Sequence, residues 1–512
     1  MVKAYGAATV VRDGGVDGEG VGVSESSTLL SGGAGSGASE HKREGHATLT
    51  SSVSNLANTI IGSGVSFPFG DVYGADAYGG TGMLTFPLAM ASCGIIPGMI
   101  TCVFSGCVAA FGLYLLSACA RYAPHRAASF FAVANLTFPR AAIFFDAAIA
   151  VKCFGVSISY LIIIKGLLPN VVASLYHDLT SPDTNPPAWA LDGRVWISLL
   201  MVILVPLAFL RRLDSLRHTS YVALFSVGAS FYVAWRERKA NWLAAYLIVI
   251  VVVCYFRPLK GSVPPGEIHL IKFTPNFVST FPIQVFAFTC AQNLFPIFNE
   301  VKTNSQQRMN IIIGTSIGSA TLTYEIIAVF GYLTFGSHVG ANIIASYPST
   351  SLFIAVGQLA IAILVLFSYP LQVHPCRNCL DKVFHFSSAK PPVGVIPDGL
   401  DEEVVDDEHA VVEMSPLKHT LLTAAIIASG FMIAYFVDDL QMVLSFVGAT
   451  GSTTISFILP GLFYWKMTRN EPTASKALRR ASLALFVYGC CILVFCLSFN
   501  IYQVIHPPMV LT

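Results

Sequence analysis

Two short stretches of this sequence place small and polar residues where an apolar run would otherwise continue. The first contains Asn58 and Thr59 and ends in Gly62-Ser63-Gly64. Glycine has no Cβ and adopts positive φ readily, so this end allows the backbone to leave helical geometry. A helix that ends there frees carbonyls that suit an ammonium or a cation, and a helix that starts there offers N–H groups that suit a carboxylate. We therefore expect these five residues to bind a zwitterion.

The second stretch is Phe288-Thr289-Cys290, with Pro296 following it. Polar residues in the middle of an apolar run, followed by proline, predict a second helix interruption. We expect Thr289 and Cys290 to contact the same ligand. Phe288 is expected either to wall the pocket for the ligand's side chain or to be an ordinary packing aromatic. For either stretch alone a simple helix kink would be the better interpretation, but two stretches at matching positions favour a binding site.

The composition indicates which kind of element holds these stretches. Of the 512 residues, 54% are hydrophobic and 12% are charged, and the net charge is +1. A soluble protein of this size could not bury so much apolar side chain, so we expect a polytopic membrane protein. The near-neutral charge gives no support for nucleic-acid binding.

Apolar runs of the length that crosses a bilayer, about 20 residues, occur eleven times. The first begins near Val53, and the others lie near 97–120, 141–168, 193–210, 218–256, 277–299, 309–335, 350–375, 417–437, 440–466 and 481–502. The loops on one side carry 17 Lys and Arg and those on the other side carry four, which predicts a cytosolic N-terminus. The fold class is therefore predicted as all-α and polytopic, with about 11 transmembrane helices. The two interruptions fall in the first and sixth segments.

Several motifs together resemble the amino acid/auxin permease family, also called the transmembrane amino acid transporter family. They are the strings at 55–64 and 83–87, 152–164, 370–375 and 446–451. The set is similar to fungal vacuolar amino acid transporters and to sodium-coupled neutral amino acid transporters. The resemblance covers residues 51–502 and implies a leucine-transporter-like fold, in which two inverted five-helix repeats (5+5) precede an eleventh helix. It also implies amino acid transport driven by a proton or sodium gradient, without a cofactor.

The sequence departs from the family pattern in two places. Residues 65–82 and 228–244 separate motifs that are contiguous in relatives, and we interpret both as insertions. The second insertion would put four charges inside a lipid-facing helix, which is costly; they are Arg236, Glu237, Arg238 and Lys239. The insertions are either retained introns, genuine loops that reshape the site, or, for the second, part of a region split into two re-entrant halves.

Candidates for ion coupling follow partly from the resemblance and partly from charge. By family analogy Ser368 faces a cation site opposite the carbonyls of Ile60 or Ile61, although its hydroxyl could equally bond its own helix. Lys152 and Glu325 are ionisable groups within spans, and such groups often carry protons. Lys152 is predicted to be proton-linked or to stabilise the site, and Glu325 to form a proton relay with its neighbour Tyr324.

Two more charged residues and one pair of cysteines lie in or near the apolar runs. Asp146 lies six residues before Lys152, about 240° around the helix, so the two are not expected to pair. Lys165 is expected to be interfacial. Cys376 and Cys379 form a C-x-x-C without a second pair, so no metal site is expected.

The polar segments carry predictions about location. Residues 1–50 read as a disordered cytosolic tail, 383–416 as an acidic cytosolic loop and 503–512 as a C-terminal tail. Within the first tail, Glu25, Leu29 and Leu30 resemble an acidic dileucine signal that a sorting adaptor reads, or are a chance pair in a linker. The signal favours a vacuolar or lysosomal membrane, with the plasma membrane as the alternative.

These observations predict a secondary active transporter that moves amino acids, neutral ones being favoured, by alternating access. We find no nucleophile–base pair, phosphate-binding loop or metal cluster in the sequence, so no enzyme activity and no cofactor are expected. The alternatives are an amino-acid-sensing receptor with little transport, a channel, or an inactive product if both insertions are translated.

Overall fold

The computed structural model describes residues 47–61, 82–123, 126, 128–138, 141–179, 186–210, 242–258, 264–302, 305–348, 352–386, 415–472 and 474–506. They belong to one compact unit, Glu44–Thr512. Several predictions fall outside these ranges: the tail with Glu25, Leu29 and Leu30, the residues Gly62, Ser63 and Gly64, both insertions except for their last residues, and most of the acidic loop.

The described residues form helices, and their only β-type pairing is an isolated bridge between Ala47 and Val301. The α-helices are α1 (Leu49–Ile61), α2 (Phe86–Cys93), α3 (Ile95–Ala120), α4 (Phe130–Thr137), α5 (Ala141–Leu179), α6 (Gly193–Ala208), α7 (Trp242–Phe256), α8 (Phe277–Ala287), α9 (Leu294–Glu300), α10 (Gln306–Phe335), α11 (Leu352–Phe386), α12 (Pro416–Phe436), α13 (Leu440–Val447), α14 (Leu459–Thr468) and α15 (Lys476–Ile505).

Within the part of the chain that the structure describes, eight helical stretches are long and apolar enough to cross a membrane. They are Ile95–Ala120, Ile143–His177, Phe277–Glu300, Gln306–His338, Phe353–Phe384, Pro416–Phe436, Leu440–Thr468 and Lys476–Ile505. Each coincides with one of the predicted segments. Three shorter apolar helices, Gly82–Cys93, Gly193–Ala208 and Leu247–Phe256, fall within the remaining predicted segments. The prediction of a polytopic all-helical chain therefore agrees with the structure.

The helices pack around α5, α10 and α11. The most extensive interface joins α5 to α11, while α10 packs against both α1 and α3, and α13 packs against α5 and α8. Small residues allow the closest approaches. A Cβ on Gly448 would lie 2.0 Å from the carbonyl oxygen of Pro282, so only glycine lets this helix lie against α8.

The helix that joins α13 to α14 departs from α-helical geometry. Residues Gly448–Ser452 and Thr454–Ile458 form two π-helical turns. The hydroxyl of Thr453 donates to the carbonyl of Gly448, five residues earlier, at 2.7 Å. π-turns are uncommon and frequently occur at functional sites, and the sequence analysis did not predict these.

Candidate binding site at the helix interruptions

The sixth segment is interrupted as predicted. Helix α8 ends at Ala287, the next three residues are not helical, and a 3₁₀ turn, Ala291–Asn293, leads into α9. Phe288, Thr289 and Cys290 are all buried. Their backbone therefore leaves helical geometry inside the protein, where it is screened from lipid.

The first segment is described on either side of residues 62–81. Its first half is α1 (Leu49–Ile61), and its second half begins with a 3₁₀ turn, Gly82–Thr85, that continues into α2. The course of the chain between them, including the predicted glycine motif, lies outside the described residues. The second half starts close to the sixth segment, because a Cβ on Gly82 would lie 2.7 Å from the Cβ of Ala287.

Side chains connect the first segment directly to the interruption of the sixth. The Asn293 amide donates to the hydroxyl of Thr59 at 2.9 Å, and that hydroxyl donates to the carbonyl of Asn55 at 2.9 Å. Asn293 belongs to the 3₁₀ turn that follows the interruption. The end of α1 and this turn therefore form one hydrogen-bonded unit.

A second connection comes from α10. The hydroxyl oxygen of Tyr324 lies 2.5 Å from the carbonyl oxygen of Ile60 and 3.1 Å from that of Ala287. Ile60 is in the last turn of α1, and Ala287 is the last residue of α8. Tyr324 thus connects the last described turn of α1 to the last residue of α8.

Thr289, a predicted ligand contact in the sixth segment, bonds the π-helical region. The hydroxyl of Thr289 donates to the carbonyl of Val285 at 2.8 Å and accepts from the hydroxyl of Ser456 at 3.3 Å. Ser456 belongs to the second π-turn. The π-helical region is therefore part of the same polar cluster.

Lys152 aims its charge at the interruption. The side chain is 1% exposed, and its ammonium donates to the Oε1 of Gln292 at 2.7 Å. The first π-turn closes over the other side, since a Cβ on Gly451 would lie 2.9 Å from the Cβ of Lys152. A positive charge is therefore held beside backbone that has left helical geometry.

Three buried aromatic rings line the same region. The ring of Tyr324 stacks on Phe86 with centroids 4.5 Å apart and meets the edge of Phe288 at 5.2 Å. Phe86 and Phe288 are 6.3 Å apart at 82°. The rings come from both interrupted segments and from α10, so Phe288 packs in an aromatic cluster at the edge of the site.

Comparison with known proteins agrees with this architecture. The model of the family described as transmembrane amino acid transporter protein matches residues 75–505. The chain belongs to this family. A Schizosaccharomyces pombe protein named vacuolar amino acid transporter 5 is 38% identical over 473 residues, covering 90% of this chain and 96% of that protein.

Two Saccharomyces cerevisiae proteins give the same result. Vacuolar amino acid transporter 6 is 35% identical and vacuolar amino acid transporter 5 is 33% identical to this chain. Each alignment covers 82% of this chain, with 95% and 94% of the respective relatives. The resemblance to this family inferred from motifs is therefore confirmed.

In this family member, other predicted residues bond different partners from those expected or have side chains outside the described part of the chain. The hydroxyl of Ser368 donates to the carbonyl of Leu364 in its own helix at 2.8 Å, which was the alternative interpretation. The carbonyl of Ile60 faces Tyr324 of α10. Asn58 and Ile61 lie on α1, and their side chains are outside the described part of the chain.

Glu325 is the next residue after Tyr324, and its carboxyl group lies beside α3. Both of its carboxyl oxygens are buried, and within the described ranges neither has a partner with hydrogen-bonding geometry. The thiol of Cys102 on α3 lies beside them. A carboxyl in such surroundings is costly to ionise, so this residue keeps the character of a proton-carrying candidate.

Two other charged residues of α5 have structural partners. Asp146 lies 4.0 Å from Lys382. The sequence analysis did not expect Asp146 to pair with Lys152 and made no prediction about Lys382. Lys165 is 9% exposed, donates to the carbonyls of Ala434 and Tyr435 at 2.9 and 3.1 Å, and pairs with Asp438. Lys165 therefore caps the last carbonyls of α12, and its position at the membrane interface stays a prediction.

Sequence reasoning missed several contacts of the site. Gln292 and Asn293 lie within the predicted break but were not singled out, although amides in an apolar run are a usable signal. Tyr324 was considered only as a proton relay. The contribution of Ser456 had no local signal, because it depends on how the π-turns pack.

Proposed function

We propose that this chain is a secondary active transporter of amino acids, working by alternating access around the two interrupted segments. The observation that carries the proposal is the joining of α1 to the interruption of the sixth segment through Thr59 and Asn293. Interrupted helices inside a membrane protein are tolerated where they line a cavity, and they usually mark a binding site. The relatives' names supply the substrate class.

The site suits a zwitterion with an uncharged side chain. Backbone groups at Phe288–Cys290 and the predicted contacts Thr59 and Thr289 are polar but uncharged, and the Lys152 ammonium can attract a carboxylate. The aromatic cluster of Phe86, Phe288 and Tyr324 would receive an apolar side chain. We therefore propose neutral amino acids as substrates.

The gradient that drives transport is a proton or sodium gradient. Lys152 and Glu325 are the proton-carrying candidates, since one is held at the interruption and the other has buried carboxyl oxygens. A cation near Ser368 and the carbonyls of Ile60 or Ile61 is the corresponding proposal for sodium. No organic cofactor takes part.

The membrane topology that we propose has eleven spans in a five-plus-five arrangement with one additional helix, and a cytosolic N-terminus. The eight long apolar helices and three shorter ones support it. The relatives' names support a vacuolar membrane, and a sorting adaptor would bind the tail at Glu25, Leu29 and Leu30. Replacing the two leucines with alanine would then move the protein towards the plasma membrane.

Flux into vesicles tests the proposal. The purified chain is reconstituted, a pH gradient is imposed, and the uptake of labelled neutral amino acids is measured with and without sodium. The expected result is accumulation above the external concentration that disappears when an ionophore collapses the gradients. Saturable binding without accumulation would indicate the receptor alternative and contradict the proposal, whereas equilibration without accumulation would indicate a channel.

A further inference from the structure

Tyr324 occupies an unusual position between two helix ends. The side chain is 0% exposed, and its single hydroxyl lies between the carbonyl oxygens of Ile60 and Ala287 at 2.5 and 3.1 Å. The ring stacks on Phe86 and makes an edge contact with Phe288. The packing therefore determines where the hydroxyl points.

The two carbonyls lie in the last described turn of α1 and at the last residue of α8. The last carbonyls of a helix have no N–H donor within the helix, and the C-terminal end carries partial negative charge. The carbonyl of Ala287 is the last one of α8, and the carbonyl of Ile60 converges on the same point inside the protein. Freed carbonyls of interrupted membrane helices are ligands of the kind that alkali cations use. In this chain a phenol hydroxyl, which is a neutral donor, lies at that point.

We propose that the Tyr324 hydroxyl takes the place of an alkali cation between these two carbonyls. It ties the first half of the first segment to the first half of the sixth without a metal ion. This inference rests on the proposed transport function and adds a positioning residue to it. A hydroxyl carries one proton, so separating the two helix ends breaks a hydrogen bond without releasing an ion. Transport by the wild-type chain therefore needs no alkali cation at this point.

The test replaces Tyr324 with Phe, which keeps the ring and removes only the hydroxyl. Tyr332→Phe is the matched control, because Tyr332 lies on the same helix, is buried, and bonds the amide of His269 at 2.9 Å rather than a helix end. Uptake driven by a pH gradient is measured in medium with N-methylglucamine as the only added cation. Sodium, lithium or potassium is then titrated in.

We expect any alkali cation to change the uptake of wild type and of Tyr332→Phe by the same factor. Relative to wild type, Tyr324→Phe should lose about tenfold in cation-free medium, since the hydroxyl proton shared by two buried carbonyls is lost, and one of the cations should restore at least about threefold. Two results would overturn the inference: Tyr324→Phe uptake that depends on alkali cations no more than wild-type uptake does, or a loss relative to wild type that no cation relieves.

Thermal melting in detergent tests the role of Tyr324 independently of transport. One hundred millimolar sodium or lithium chloride, compared with choline chloride, should raise the melting temperature of Tyr324→Phe by about 3 °C or more and leave wild type unchanged. Equal shifts in both proteins would overturn the inference. A wild-type chain with no uptake under any condition would refute the proposed function, and melting would still decide the role of Tyr324.

Discussion

Lys152 shows how the site holds a single charge inside an apolar protein. Its ammonium is buried, yet the Gln292 amide oxygen accepts its hydrogen bond at 2.7 Å. In the proposed function this ammonium attracts the carboxylate of the substrate. Lys165, in the same helix, pairs with Asp438.

Replacing Lys152 with Met is expected to raise the KM for amino acid uptake by at least about tenfold, the equivalent of about 1.4 kcal/mol. Methionine is unbranched and one atom shorter than lysine, so most of the packing is kept, but the carboxylate of the substrate loses an attractive charge. The KM is measured from initial uptake rates in reconstituted vesicles. Lys382→Met is the control. Lys382 is 67% exposed, and its ammonium lies 4.0 Å from the carboxylate of Asp146 on α5. An unchanged KM in Lys152→Met would contradict this role.

At the level of single residues, some members of the polar cluster could be predicted from the sequence and others could not. Thr59, Thr289 and Cys290 stand out because a polar or small residue in an apolar run is visible locally. The bridge from Tyr324 to Ile60 and Ala287 is not visible, because it joins three helices that are distant in sequence. Tyrosine is also common in spans, so its residue type carries little information.

At the scale of elements, the π-turns between α13 and α14 form one wall of the site. Ser456 reaches Thr289 from the second turn, and Gly451 of the first turn lies against Lys152. The lengths of apolar runs predicted all eight long helices, since hydrophobicity is a local property. The π-turns were not predicted, because packing against α5 and α8 determines them rather than local propensity.

Gly451→Ala is expected to reduce uptake by about tenfold or more. The new Cβ would lie 2.6 Å from the carbonyl oxygen of Ala148, so the π-turn must move away from α5 and from Lys152. Gly314→Ala is the matched control, because a Cβ there meets nothing within 4 Å. Uptake is normalised to folded protein from size-exclusion profiles. Equal uptake in the two variants would show that the close approach at Gly451 is not required.

At the scale of the whole molecule, a second set of bonds joins the opposite ends of the interrupted segments. The amide of Ala47, just before α1, donates to the carbonyl of Glu300 at 3.0 Å, just where α9 ends. The guanidinium of Arg126 donates to the carbonyls of Asn299 and Val301 at 2.6 and 3.2 Å. In this conformation the start of α1 cannot move away from the end of α9 without breaking the Ala47 bonds, and Arg126 holds the end of α9 against the segment between α3 and α4.

Arg126→Ala is expected to favour opening at that end. Removing the guanidinium leaves the bonds between the Asn299 side chain and Ala128 to hold the end of α9 against the segment between α3 and α4. The rate at which a small maleimide alkylates Cys290, measured without substrate, should rise severalfold, because opening exposes the buried interruption. Arg308→Ala on the exposed start of α10 serves as the control. A rate equal to that of wild type would show that Arg126 does not limit opening.

Protection of Cys290 by substrate tests the proposed binding site most directly. Two variants each retain one of the 12 cysteines, Cys290 at the interruption or Cys496 buried in α15. Alkylation rates are measured with and without an amino acid that the same preparation accumulates. We predict that saturating substrate slows alkylation of Cys290 by about tenfold and leaves Cys496 unchanged. An unchanged rate at Cys290, in vesicles that still accumulate the amino acid, would contradict the proposal that the substrate binds between the interrupted helices.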